Sequence, residues 1–97
     1  MITVQRTADF DRWLAGLRDR IAVRKITTRI DAIRGGHVGD WRAVGDQVSE
    51  LRIHYGPGYR LYFTRRGERL VLQLAGGDKD SQARDILRAK ALAADTD

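Results

Sequence analysis

The sequence predicts an α+β domain: a short strand, a helical hairpin, three or four hairpin-connected strands and a last helix. Three observations carry this. Apolar residues recur at helical spacing between Phe10 and Ile33, the period changes to two after Asp40, and the helices precede the run of strands. The expected architecture is a mostly antiparallel sheet of four or five strands. The N-terminal hairpin and the C-terminal helix pack on one face of it. At 97 residues the chain is expected to form a single domain, 1–97.

The opening strand is Ile2 to Arg6, with Ile2 and Val4 on one side. Thr7 reads as an N-cap. Phe10, Trp13, Leu14 and Leu17 then fall at i, i+3, i+4 and i+7, one face of a helix. A second helix begins at Asp19 or Arg20 and ends at Arg34, before Gly35-Gly36. Its inner stripe is Ile21 or Ala22, Val23, Ile26, Ile30 and Ile33. Its outer face carries Arg20, Arg24, Lys25, Thr27, Thr28 and Arg29, which is a solvated face or an RNA contact.

Beyond the loop His37–Asp40 the strands are Trp41–Val44, Val48–Tyr55, Tyr59–Arg65 and Arg69–Ala75. Turn signals Gly45-Asp46, Gly56-Pro57-Gly58 and Arg66-Gly67-Glu68 separate them. Leu70 to Leu74 is the most continuously apolar run and is expected at the centre of the sheet, covered on one side. A last helix spans Lys79 to Leu92, with Ala83, Ile86, Leu87 and Ala91 turned inward. The tail 93–97 frays.

Composition narrows the chemistry. The net charge is +5, and 15 of the 18 cations are arginine, whose planar fork suits phosphate. A basic surface attracts nucleic acid, an anionic membrane or an acidic protein. There is no cysteine, which removes disulfides and thiolate metal sites. His37 and His54 lack metal-ligand spacing, so no metal and no cofactor is expected. No apolar run approaches the roughly 18 residues of a membrane span. The expectation is a cytoplasmic protein without a cleaved leader.

The hairpin around Pro57 concentrates the candidate chemistry. With the turn centred on Pro57, Leu51, Ile53, Tyr55, Tyr59, Leu61 and Phe63 share the core face. Glu50, Arg52, His54, Arg60, Tyr62 and Thr64 share the other, with Arg52 opposite Tyr62 and His54 opposite Arg60. A solvated sheet face carries such mixtures too. Cleavage of RNA by its own 2′-hydroxyl needs a base, cations for the phosphorane and an acid for the leaving oxygen. Arg52 and Arg60 suit the phosphate, His54 suits base or acid work, and Tyr62 suits stacking or proton donation. Lys79, after Gly76-Gly77-Asp78, is a further phosphate ligand with Gln82 one turn on. Its flanking Asp78 and Asp80 equally suit simple neutralisation.

Gly39-Asp40, Val44-Gly45, Val48, Glu50-Leu51-Arg52-Ile53, Tyr55-Gly56-Pro57-Gly58-Tyr59-Arg60, Tyr62-Phe63, Gly76-Gly77-Asp78-Lys79, Gln82 and Asp85-Ile86 form a specific string. Through it the chain resembles the phage Gp49-like, HigB-type addiction-module killer branch of the RelE/ParE toxin superfamily, from about Phe10 to Leu92. The resemblance implies the toxin of a type II toxin–antitoxin pair, with a RelE-like fold and ribosome-dependent cleavage of mRNA. It implies a cognate antitoxin, with a small helix-turn-helix protein as the expected type, and the ribosome and mRNA as further partners. Arg52, Arg60 and Lys79 match the positions that do this work in RNA-cleaving members, and Glu50 and Tyr62 match the motif. Two positions depart from the pattern. The chain ends Ala91-Leu92-Ala93-Ala94-Asp95-Thr96-Asp97, without the aromatic or histidine some RNA-cleaving members carry, and Gln47 stands where the branch has glycine. A gyrase-poisoning toxin without nuclease activity and a non-toxic nucleic-acid-binding module are the alternative readings.

Overall fold

A computed structural model describes residues 1–77 and 79–95. The elements run β1 (Thr3–Arg6), α1 (Ala8–Ala15), α2 (Arg20–Arg34), β2 (Trp41–Gly45), β3 (Val48–Ile53), β4 (Tyr59–Arg66), β5 (Arg69–Gly76) and α3 (Gln82–Ala94). The five strands form one sheet in the order β1-β5-β4-β3-β2. Every neighbouring pair is antiparallel except β1 with β5. The α+β class and the mostly antiparallel sheet are as the sequence predicts.

The helix starts follow capping chemistry. The Thr7 hydroxyl accepts from the Phe10 amide and donates to the Gln73 carbonyl at 2.6 Å, tying the start of α1 to β5. The Asp19 carboxylate accepts from the amides of Ile21 and Ala22 at the start of α2. The inner stripe of α2 resolves to Ala22, Ile26, Ile30 and Ile33, while Ile21 faces solvent. These residues pack with Phe10 on Leu51, Ile53, Leu61, Phe63, Leu70 and Leu72, the main core. Each such side chain contributes about 1.5–3 kcal/mol by leaving water.

Four expectations change. The helices cover both faces of the sheet, not one: α1 and α2 lie over the main core, and α3 lies over a second cluster of Val48, Tyr62, Leu74, Ala89 and Ala93. The central strand is β4, with β5 beside it and buried on both sides. The helix α3 starts at Gln82 rather than Lys79, and Ala89 and Ala93 face inward while Ala83, Leu87 and Ala91 are exposed. The physical reason is size, since small alanines let α3 sit close on the sheet. At its first turn the carboxylate of Asp85 lies against the backbone of Gly76, where any Cβ would collide with it. The fourth change is register. The connection from β3 to β4 spans residues 54–58 and centres on Gly56, not Pro57. Arg52 therefore faces Arg60, and Glu50 faces Tyr62. A two-residue shift preserves the faces, so the division into core and second face stands for the residues within β3 and β4, but not for His54, which lies beyond the end of β3. The expectations that involve Asp78, and the fraying of Thr96 and Asp97, lie outside the described residues.

The β2–β3 turn places Asp46 and Gln47 at φ 53° and 65°, both in the left-handed region. A two-residue hairpin loop of this kind favours glycine, and a side chain there costs about 1–2 kcal/mol. Gln47→Gly is therefore expected to raise unfolding stability by about 1 kcal/mol. Denaturant titration of both chains checks it, and an unchanged or lowered midpoint contradicts the assignment of strain to this turn.

Candidate functional site

The second face of the sheet is not the open surface the sequence suggests. Glu50 is 1% exposed, Arg60 6% and Tyr62 0%. They are buried because α3 lies across them and because the polar groups pair. The Arg42 guanidinium on β2 donates to Glu50 at 2.7 Å. Gln82, the first residue of α3, donates its amide to the same carboxylate at 3.1 Å. The Arg60 Nε stands 4.0 Å away, and another guanidinium nitrogen of Arg60 donates to the Gly58 carbonyl at 3.3 Å. One buried carboxylate thus gathers side chains from β2, β4 and α3.

Arg52 is directly opposite Arg60 and on the same face, but it is exposed. Among the described residues its side chain has no ion-pair partner within bonding distance, although its charge helps hold Asp40 ionised. The strand pairing also brings in the end of β5. Gly76 lies opposite Arg60, and Lys79 follows three residues later on an exposed segment leading into α3. The fold therefore brings Glu50, Arg52, Arg60, Tyr62 and Gln82 together at one end of the sheet, with Lys79 on the adjoining segment.

Tyr62 and His54 also take a different part from the expected one. Tyr62 is enclosed beneath α3 and cannot stack on a base in this arrangement. Burial, reinforced by the charges of Glu50 and Asp85, pushes its phenol up to about 12, so it stays protonated. Its hydroxyl makes no hydrogen bond to a described residue. His54 does not sit opposite Arg60. It lies just beyond β3, where its Nε2 is 2.8 Å from the Asp40 carboxylate. That hydrogen bond, with the nearby His54 and Arg52 charges, lowers the pKa of Asp40 below the ordinary carboxylate value. His54 lines a cleft on the α2 side together with Arg24, Lys25, Thr28, Arg29 and Ile53.

Sequence reasoning missed Arg42 and Asp40. Arg42 was hidden by the irregularity between Ala43 and Gly45, which moves it into register with Glu50. Asp40 was hidden because its contact with His54 spans 14 residues of loop and strand. Among the described residues no group of three or more histidine, aspartate or glutamate side chains is placed to hold a metal ion. No helix among them is long and apolar enough to cross a membrane.

No family model matches the chain. A protein of Haemophilus influenzae (strain ATCC 51907 / DSM 11121 / KW20 / Rd), described only as uncharacterized, is 44% identical over 92 residues. The alignment covers 95% of this chain and 93% of that one. The chain belongs to the family of that protein. Similarity over nearly the full length of both chains means that the family shares the whole domain, both faces of the sheet included.

The Tyr62 phenol gives a test of the enclosed face. An ordinary tyrosine ionises near 10, and here the folded value is raised. The unfolded chain therefore loses its proton first, and the contribution of Tyr62 to stability, complete below about pH 10, is lost as pH rises toward about 12. Stability of the wild-type chain is expected to fall more steeply through that window than stability of Tyr62→Phe. Denaturant titrations at about pH 9, 10 and 11 read the difference. Parallel curves would mean that the phenol is open to water.

Proposed function

We propose that this protein is the toxin of a toxin–antitoxin pair, with the RelE-like fold of the RelE/ParE superfamily, and that it cuts mRNA on the ribosome in the cytoplasm. The observation that carries the proposal is the placement of Arg52 and Arg60 directly across β3 and β4 on one face, beside the segment that bears Lys79. The resemblance of the Glu50–Phe63 string to RNA-cleaving toxins and the net charge of +5 agree with it.

In this reading the 2′-oxygen of the ribose attacks the adjacent phosphorus as it gives up its proton. The bond to the 5′-oxygen breaks and that oxygen gains a proton, leaving a cyclic phosphate and a 5′-hydroxyl. Arg52 reaches the phosphate from the exposed end of β3, and Lys79 brings a second cation. Their charges stabilise the phosphorane, where negative charge accumulates. Arg60 acts from behind, held by Glu50 and the Gly58 carbonyl, as a fixed positive charge at the edge of the site. Glu50 and Gln82 position that charge rather than touch RNA. Growth inhibition is relieved by a cognate antitoxin, a small helix-turn-helix protein, that covers this cationic end.

A second reading has one observation in its favour. Burial of Glu50 and Tyr62 removes two of the groups that proton transfer would use. This favours a toxin that poisons gyrase by binding alone, and the same experiment separates the two.

Arg52→Ala and Lys79→Ala are each expected to reduce cleavage by about 100-fold or more with unchanged melting temperature, since each removes charge from the transition state. Arg60→Ala is a poorer probe, because it removes one of the two cations beside the buried Glu50 and lowers stability. Inducible expression with mapping of cellular mRNA ends reads the outcome. Intact message during growth arrest, accompanied by inhibited supercoiling, transfers the assignment to gyrase.

A further inference from the structure

A cleft of about 500 Å³ opens between α2 and the end of β3, on the side of the sheet away from α3. Its lining is Arg24, Lys25, Thr28, Arg29, Ile53 and His54, with no carboxylate among them. The basic face of α2 is visible in the sequence. What the fold adds is a concave shape and a set of fixed cations.

Arg29 is held by two backbone carbonyls. One guanidinium nitrogen donates to Arg52 at 3.0 Å and another to Val38 at 3.3 Å. Those bonds use part of a five-donor fork and stop the side chain from wandering. Lys25 rests over the Tyr55 ring at 5.4 Å from its centre, and the Tyr55 hydroxyl is anchored by donating to Asp19 at 3.0 Å. His54 is oriented by Asp40 through Nε2, which leaves Nδ1 for another partner. Three of the cleft's basic groups are thus pre-positioned by contacts that do not neutralise them, apart from the His54–Asp40 pair. Ion pairs at Asp9, Asp11, Asp31 and Asp46 use arginines and a lysine elsewhere, but none of them takes Arg24, Lys25 or Arg29. Oriented guanidinium and ammonium donors beside a hydroxyl suit the oxygens of a phosphate group. The volume suits one nucleotide, since ligand clefts of roughly 300–1,000 Å³ enclose small molecules.

We propose that this cleft is a phosphate-binding site, separate from the Arg52–Arg60 end of the second face, that holds a phosphate of a nucleotide or of a polynucleotide backbone through Arg24, Lys25, Arg29 and Thr28. It does not depend on cleavage. It adjoins the other site through the β3 backbone, where Arg29 bonds the carbonyl of Arg52, and through Asp40, which bonds His54 and feels the Arg52 charge.

Nuclear magnetic resonance titration of the folded chain tests it, reading the His54 imidazole and the Thr28 and Arg29 amides. His37 serves as the internal reference. The probes are inorganic phosphate, adenosine monophosphate and a single-stranded oligoribonucleotide of about eight residues, a length within single-strand site sizes. Cleft signals that shift with all three probes, the oligonucleotide binding at least tenfold more tightly, identify a backbone site. Saturation by the monophosphate with no gain from the oligonucleotide identifies a nucleotide site. Arg24→Gln with Lys25→Gln is expected to weaken either form at least tenfold and to lower the salt dependence of oligonucleotide binding by about two phosphate contacts. Arg65→Gln with Arg66→Gln, exposed at the end of β4, is the control and is expected to change affinity less than twofold. Cleft signals that stay still with every probe, or a control that weakens binding as much as the cleft variant, overturn the proposal. Because no arm measures cleavage, its failure leaves the assignment of Arg52 and Lys79 standing.

Discussion

The arrangement at the end of the sheet depends on one buried carboxylate. Glu50 is almost wholly enclosed, and an unpaired charge there would be strongly destabilising. Arg42 from β2 and Gln82 from α3 bond it, and Arg60 stands next to it. The consequence is positional. Gln82 is the first residue of α3, so satisfying Glu50 fixes where the helix begins and how it crosses the sheet. Arg42 fixes the edge strand β2 against β3. Arg60, drawn inward by the same charge, cannot serve as a freely mobile surface cation. Arg52, one strand over and outside the network, is left as the accessible member of the pair.

Covering this face has a second effect. Tyr62, Thr64 and Gln73 are buried with side-chain polar atoms that make no hydrogen bond to a described residue. Gln73 occupies the extra position between Leu72, which faces Phe63, and Leu74, which faces Tyr62. A bulge of this kind increases local twist and lets β5 follow α3 on one side and α1 on the other. Thr7 bonds the carbonyl of that same Gln73, so the start of α1 is set from the bulge. The two faces of the sheet are therefore coupled through β5, although their apolar clusters are separate.

These particulars explain what the sequence could convey. The stripe Ile26, Ile30 and Ile33 and the caps Thr7 and Asp19 were legible because period and capping are local. The alternation of β3 and β4 was legible for the same reason, and it placed Arg52 and Arg60 on one face despite a register wrong by two residues. The α3 face was misread because an alanine-rich helix carries little apolar contrast: Ala83 and Leu87 fit a stripe as well as Ala89 and Ala93. The burial of Glu50, Arg60 and Tyr62 was invisible because polar residues in a strand read as solvated, and only pairing across β2, β4 and α3 reverses that. His54 went to the other side because the chain leaves the strand at Ile53, where the period-two rule stops applying.

The separation of exposed cations follows from the same pairing. On the second face Glu50 draws Arg42 and Arg60 together, while Arg52 at the strand end stays solvated. On the α2 side the neutral carbonyls of Val38 and Arg52 hold Arg29, so its position is fixed without its charge being cancelled. A carboxylate in that place would have fixed it equally well and removed its field. The carbonyl of Arg52 is itself part of β3, so the guanidinium on α2 and the one on the strand share a rigid connection through a single residue. Two basic surfaces on different sides of one sheet end are thus kept at a set spacing.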